Sequence, residues 1–240
     1  MAAAQQLARA TWQKWAIITH NDCAVLSSET RPYNAFKRSD WSEHCKGLAE
    51  LSKVTIIAEH EWEKSADSLL FDTRPPVVPN DCMLQHFQGI EVKTKQPCFD
   101  KDMAILMDFR VDQSKGMHFI YLLPYSTTEA LVESTLFSTE LVDEEFYSTS
   151  IESYLKEHCK VEDFSITHQE KGVIPLGKLA PHDAKIPGLG SNAGATRPAS
   201  GYAFLFIQRQ IDAGIRLANS GKSITFKNPH KRIDLSLIHI

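Results

Sequence analysis

Residues 117–138, MHFIYLLPYSTTEALVESTLFS, decide the fold. Two arms, 118–123 and 130–137, are rich in aromatic and branched residues and are joined through Pro124 and a Ser/Thr-rich turn, so they read as paired strands. One carboxylate, Glu133, sits mid-strand in the second arm. If its face is covered, loss of hydration disfavours the ionised form and keeps the acid protonated near neutral pH, the state a general acid needs. The alternative is ordinary strand alternation, with Glu133 facing water between Val132 and Ser134.

Working outward, runs at 86–93 and 103–110 also read as strands, and such short spacing implies an antiparallel sheet. A helix over 144–158 carries Phe146, Ile151, Tyr154 and Leu155 on one stripe and acids in its first turn, as a helix covering that sheet would. A strand at 164–168 leads away from it. Toward the N-terminus, a helix to about Trp12 and a strand at 15–19 read as the second half of a β-α-β unit. A loop with Arg31, Pro32 and Tyr33 then enters a helix over 38–51, with Ser39 or Asp40 as candidate N-cap. Strands at 54–58 and 68–71 follow. The segment DTRPPVVPND at 72–81 contains three prolines, which exclude regular structure and mark a boundary. A glycine-rich loop at 188–202, GLGSNAGATRPASGY, leads into a helix over 201–219. Three divisions follow: 1–75, 76–170 and 171–240.

The chain has 240 residues, 42% hydrophobic and 23% charged, enough for a substantial core. Its formal charge of -4 and scattered basic residues argue against a nucleic-acid partner. The five cysteines include no C-x-x-C pair and the ten histidines no H-E-x-x-H spacing, so no disulfide framework or metal site is implied. No stretch reaches the roughly 18 apolar residues of a membrane-spanning helix. The start lacks a signal-peptide core and reads as a helix; a transit peptide is the second reading, because Arg9 and Lys14 stand among few acids.

Gly188-Leu-Gly190-Ser-Asn-Ala193 formally matches the G-x-G-x-x-G/A dinucleotide fingerprint. Pro187 before it and Pro198 after it break the strand-turn-helix context that the fingerprint requires. What remains is a glycine-rich turn entering a helix, suited to a phosphate or an electron-rich ring, or else a plain connecting loop.

Five separated segments, LQHFQGIEV at 84–92, LMDFRV at 106–111, FIYLLPYSTTEALVESTLFS at 119–138, GVIPL at 172–176 and GSNAGATRPASGYAF at 190–204, together resemble the flavoprotein lycopene cyclases, above all the bacterial type. RPYNAFKRSDW at 31–41 is similar to a further segment of that group. The resemblance implies an α/β fold: a glutathione-reductase-like FAD/NAD(P)-binding domain, incomplete here, carrying an antiparallel substrate sheet. It implies closure of the linear ends of lycopene into cyclohexene rings, without net redox change. Reduced FAD, with NADPH as reductant, would stabilise a carbocationic transition state, while an acid protonates the terminal double bond and a base removes a ring proton.

Glu133 stands at the family's essential-glutamate position. Asp108 is a candidate second acid or, the reading slightly favoured, the ion-pair partner of Arg110 on the same strand face. Gly190, Gly194, Pro198, Gly201 and Tyr202 match the C-terminal flavin loop. Asp72 and Arg74 match a strand end near the flavin, or form a domain-crossing turn. The implied partners are the apolar polyene and a membrane surface, either the cytoplasmic face in a bacterium or a plastid membrane. The family's first strand and glycine loop do not occur before residue 15, Asp22 is only the nearest acid to a ribose-binding position, and the tail DLSLIHI suggests a fragment at both ends. Two other readings remain: a related flavin monooxygenase or oxidoreductase, and a non-catalytic remnant.

Overall fold

The computed structural model describes residues 5–58, 68–177 and 179–230. Its strands are β1 (Ala10–Trp12), β2 (Lys14–Ile18), β3 (Cys23–Ser27), β4 (Tyr33–Ala35), β5 (Met83–Thr94), β6 (Met103–Asp108), β7 (Met117–Pro124), β8 (Glu129–Ser138) and β9 (Phe164–Leu176). The helices are α1 (Arg38–Leu51), α2 (Glu144–Cys159) and α3 (Phe204–Asn219), with a 3-10 turn at Gly190–Ala193. Seven strands form one sheet in the order β3-β2-β6-β7-β8-β5-β9, while β1 and β4 pair separately. The large sheet is mixed: β2 runs parallel to β6 and antiparallel to β3, and β6 runs antiparallel to β7.

By contacts the chain falls into two compact units. The described residues among 1–66, 88–135 and 143–171 make the first, and those among 67–87, 136–142 and 172–240 the second. The apolar strand β2 lies in the same sheet as β6 instead of standing apart in a β-α-β unit, because its buried Ala16 is flanked by β3 on one side and β6 on the other.

In the first unit, Ile90, Val92, Ile120, Leu122, Ala130 and Val132 of the sheet pack against Ile151, Tyr154 and Leu155 of α2. Each strand contributes every second residue, which is the pleat period. The opposite face carries a second cluster of Trp12, Ala104 and Leu123, with Leu106, Tyr125 and Leu131 against it. Glu144 and Glu145 open α2, and Lys156 and His158 close it, which suits the helix dipole.

A bulge in β6 interrupts that alternation. Ala16 pairs with Ile105 and Ile17 with Met107, so Leu106 is the extra residue. Ile105 therefore packs on the α2 side and Leu106 on the other, while Asp108 turns back to the α2 side, opposite Ile120. There the fully buried Asp108 carboxylate accepts from Arg110 Nε at 2.9 Å and Nη2 at 2.6 Å, and from Tyr154 Oη at 2.9 Å. These bonds tie the end of β6 to α2.

Other expectations are corrected. Residues 10–12 form β1, not the end of a helix, because Trp12 is buried and its Nε1 donates to Pro124 O at 3.2 Å. Residues 54–58 form no strand. Of the strand expected at 68–71, only a single bridge remains one residue later, between Asp72 and Gly188. β9 runs on to Leu176, well past the expected end. Helix α1 has the expected span, but Lys37 is its N-cap and no side chain caps it.

Replacing Asp108 with Ala should lower unfolding free energy by about 2 to 4 kcal/mol, because Arg110 and Tyr154 lose a buried acceptor. Urea denaturation followed by tryptophan fluorescence measures this.

Candidate functional site

Glu133 lies on the face of β8 away from α2, since its neighbours Val132 and Ser134 face the other way with the α2 core. Its Oε1 accepts from Thr135 Oγ1 at 2.8 Å. No ion pair to Glu133 occurs among the described residues. The side chain is half-buried by area, yet protein atoms crowd its carboxyl. Burial dominates and pushes its pKa up to about 8; the Thr135 bond opposes this and the Glu170 charge adds to it. At neutral pH Glu133 is mostly the neutral acid.

The surroundings explain why no cation rescues the carboxylate. Arg9 lies 3.8 Å from the Tyr125 ring centroid, and its guanidinium is paired to Glu91. Burial, and then the Glu91 charge, push the Tyr125 phenol up to about 12, so it stays neutral as well. The nearby positive charge is therefore matched to Glu91.

Asp108 is not brought to this site. It faces α2, and although burial pulls its pKa upward, the Arg110 and Tyr154 hydrogen bonds outweigh that and hold it below the usual carboxylate range. An ionised, fully enclosed carboxylate has no proton to give. A second buried polar pair shares that face: Asp112 O can only accept, at 2.7 Å, so His118 Nδ1 carries a proton and Nε2 accepts from Ser134 Oγ at 2.8 Å. Burial lowers the His118 pKa and keeps it neutral. Both His118 and Ser134 are sealed from solvent, so the pair is structural.

In the second unit the glycine-rich loop is stitched to Asp72. Asp72 N donates to Pro187 O at 2.9 Å, while Asp72 O accepts from Leu189 N at 2.9 Å and Asn192 Nδ2 at 3.1 Å. The Asp72 carboxylate takes both Arg74 Nε and Nη2 at 2.9 Å, which holds its pKa at about 2. Gly190, Gly194 and Gly201 have φ of 70°, 74° and 67°, the left-handed region that glycine tolerates. Their amides are engaged internally: Gly190 N donates to Gln210 Oε1, Gly194 N to Ser191 O and Gly201 N to Arg197 O. Pro198 is buried and Tyr202 half exposed.

Several residues escaped sequence reasoning. Buried Gln210 of α3 accepts from Gly190 N and donates to Ala193 O at 3.1 Å and Lys227 O at 3.0 Å, clasping the loop. The available signal was a polar residue on the Ile207–Gly214 stripe of an apolar helix. Beside Gly201, Gln85 Oε1 and Ser200 Oγ are buried without a hydrogen-bond partner, and a Cβ at position 201 would meet Gln85 Oε1 at 2.4 Å. That spot is a small polar cradle kept open by glycine.

Because the folded pKa of Glu133 lies above its ordinary 4.5, the native state binds the extra proton, and stability falls as pH rises from about 4.5 to about 8. Glu133→Gln should remove that part of the slope. The wild type should therefore lose unfolding midpoint relative to the variant as pH rises from 5 to about 8, with the difference constant above that, measured by chemical denaturation between pH 5 and 9.

Known proteins supply the context for this geometry. In fold, the chain is similar to a geranylgeranyl bacteriochlorophyll reductase-like protein from Thermoplasma acidophilum, with a TM-score of 0.63 at 10% identity over 98% of this chain and 68% of that one. It is also similar to a flavin-dependent brominase, with a TM-score of 0.56 at 9% identity over 92% and 66%. In sequence it is 29% identical to the lycopene beta-cyclase of a Paracoccus species over 136 residues, covering 53% of this chain and 34% of the relative. It is 25% identical to the chloroplastic/chromoplastic lycopene beta cyclase of Narcissus pseudonarcissus over 247 aligned positions, 88% of this chain and 48% of that protein. The chain thus spans half or less of the length of these curated relatives. The family described as lycopene cyclase protein matches residues 4–234, and the chain belongs to that family.

Proposed function

We propose that this chain carries the proton-transfer centre of a lycopene cyclase, with Glu133 as the acid that protonates the terminal double bond of the polyene. The observation that carries this reading is the Glu133 carboxyl enclosed on the α2-distal face with Thr135 as its hydrogen-bond donor and no ion pair among the described residues, a setting that raises its pKa and keeps it a neutral acid. Protonating an alkene needs a strong donor in a place where water does not compete. The proton from Glu133 forms a C–H bond, the resulting cation is attacked by a neighbouring double bond to close the ring, and loss of one ring proton restores neutrality. Protons balance and no electrons are exchanged. The reaction is an isomerisation.

FAD is the proposed cofactor, with NADPH as its reductant. The cradle beside Gly201 fits the polar edge of a flavin ring, because Gln85 Oε1 offers an unused acceptor and Ser200 Oγ an unused hydroxyl. Gly190, Gly194, Pro198, Gly201 and Tyr202 would line the ring's approach, with Asp72 and Arg74 fixing the loop from behind. When bound in reduced form, the flavin supplies electron density that favours a nearby cation. Gln210 and Asn192 hold the loop in shape for it.

An apolar polyene is stored in a membrane, so peripheral membrane contact belongs to the proposal. No helix among the described residues is long and apolar enough to cross a membrane. The setting is a plastid, as the name of the Narcissus relative indicates for that protein, or the cytoplasmic face of a bacterial membrane.

In a full-length enzyme expressed in a lycopene-accumulating host, Glu133→Gln should cut cyclisation by a factor on the order of 10² to 10⁴ while flavin absorbance is retained. Pigment chromatography reads the outcome; undiminished ring formation would remove Glu133 from the role.

A further inference from the structure

Gly89 occupies the middle of β5, the strand between β8 and β9. A side chain there would be crowded from both sides. A Cβ built on Gly89 would lie 3.3 Å from Glu133 Cβ of β8 and 3.3 Å from Glu170 Cγ of β9, so those two atoms are no more than twice that distance apart. Strands two places apart ordinarily keep their side chains about 9 to 10 Å from each other, separated by the residue between them. The missing side chain leaves a notch, floored by Leu131 Cδ1, also 3.3 Å from that Cβ position, over which the stems of the two glutamates come together.

The two carboxyls differ in access. Glu133 is half-buried with its carboxyl crowded by protein, whereas Glu170 is exposed. Both are shifted toward the protonated form: Glu133 by burial and by the Glu170 charge, Glu170 by partial burial and by Glu91, against His168. Among the described residues this face also carries Arg9, paired to Glu91, Lys93, paired to Glu129, together with Tyr121 and Tyr125, the latter neutral. No ion pair to Glu170 occurs among the described residues.

We propose that Glu170 is the proton relay for Glu133, carrying protons across the Gly89 notch between solvent and the enclosed acid. The inference rests on the assignment of Glu133 as alkene protonator and adds what that assignment requires. Each turnover leaves Glu133 as a carboxylate and releases one proton from the ring cation. The ring cation loses its proton to solvent, the Glu170 carboxylate takes up one proton from solvent, and its O–H passes that proton to the Glu133 carboxylate, so one O–H bond breaks as another forms and the protons balance over a turnover. Glu170 does not touch the polyene in this scheme; it is a positioning and relay residue.

The test uses full-length enzyme with reduced flavin in lycopene-loaded vesicles. Glu170→Gln should lower turnover by a factor on the order of 10². Turnover should then rise with the concentration of a small carboxylic acid buffer such as acetate, a dependence absent in the wild type, and Glu170→Asp should keep most activity. Infrared titration of the Glu133 carboxyl should show its midpoint falling in Glu170→Gln, since a like charge has been removed. Unchanged turnover in Glu170→Gln, or a loss that neither acetate nor Asp restores, would overturn the relay alone. Cyclisation persisting in Glu133→Gln would overturn the assignment of Glu133 and the relay with it.

Discussion

Everything at the acid site depends on one constraint: β8 can give only every second residue to the core under α2. Ala130 and Val132 pack there with Ile151, Tyr154 and Leu155, and Ser134 completes the same face through His118. A register slip of one residue would bury Glu133 against α2 and expose the valine. The hydrophobic cluster therefore fixes where the carboxyl points without touching it. The raised pKa is a by-product of that orientation, since burial on the face away from α2 strips water from the carboxyl.

Much of this was legible in residues 117–138. Two strands, their turn and the helix after them follow from period and composition, and the observed spans differ by only a residue or two. The glycines of the 188–202 loop were also recognisable as turn positions, and Gly190, Gly194 and Gly201 have left-handed φ values that glycine tolerates. Burial of Glu133 was not legible, because alternation alone fits a water-facing acid equally well. It depends on pairing across the sheet, which sets Gly89 of β5 and Glu170 of β9 beside it.

The misreadings have specific causes. A run of alanines and glutamines favours helix locally, but residues 10–12 pair with Tyr33–Ala35 because burying Trp12 outweighs propensity. Asp108 and Arg110 do share a face, yet the bulge at Leu106 decides which face it is, and no local pattern announces a bulge. Glu170 was overlooked because the strand appeared to stop at 168; its exposed polar run, 165–171, hides continuity that only pairing across the sheet reveals.

Gln210 has a consequence for whatever docks on the glycine loop. One amide side chain gathers Gly190, Ala193 and Lys227, so the loop, α3 and the segment after α3 are immobilised together during folding. Loops rich in glycine usually lose conformational freedom when a ligand arrives, and that loss weakens binding. Here most of the ordering precedes the ligand. A flat ring would meet a surface whose entropy has already been removed, and its affinity would register contacts almost undiminished.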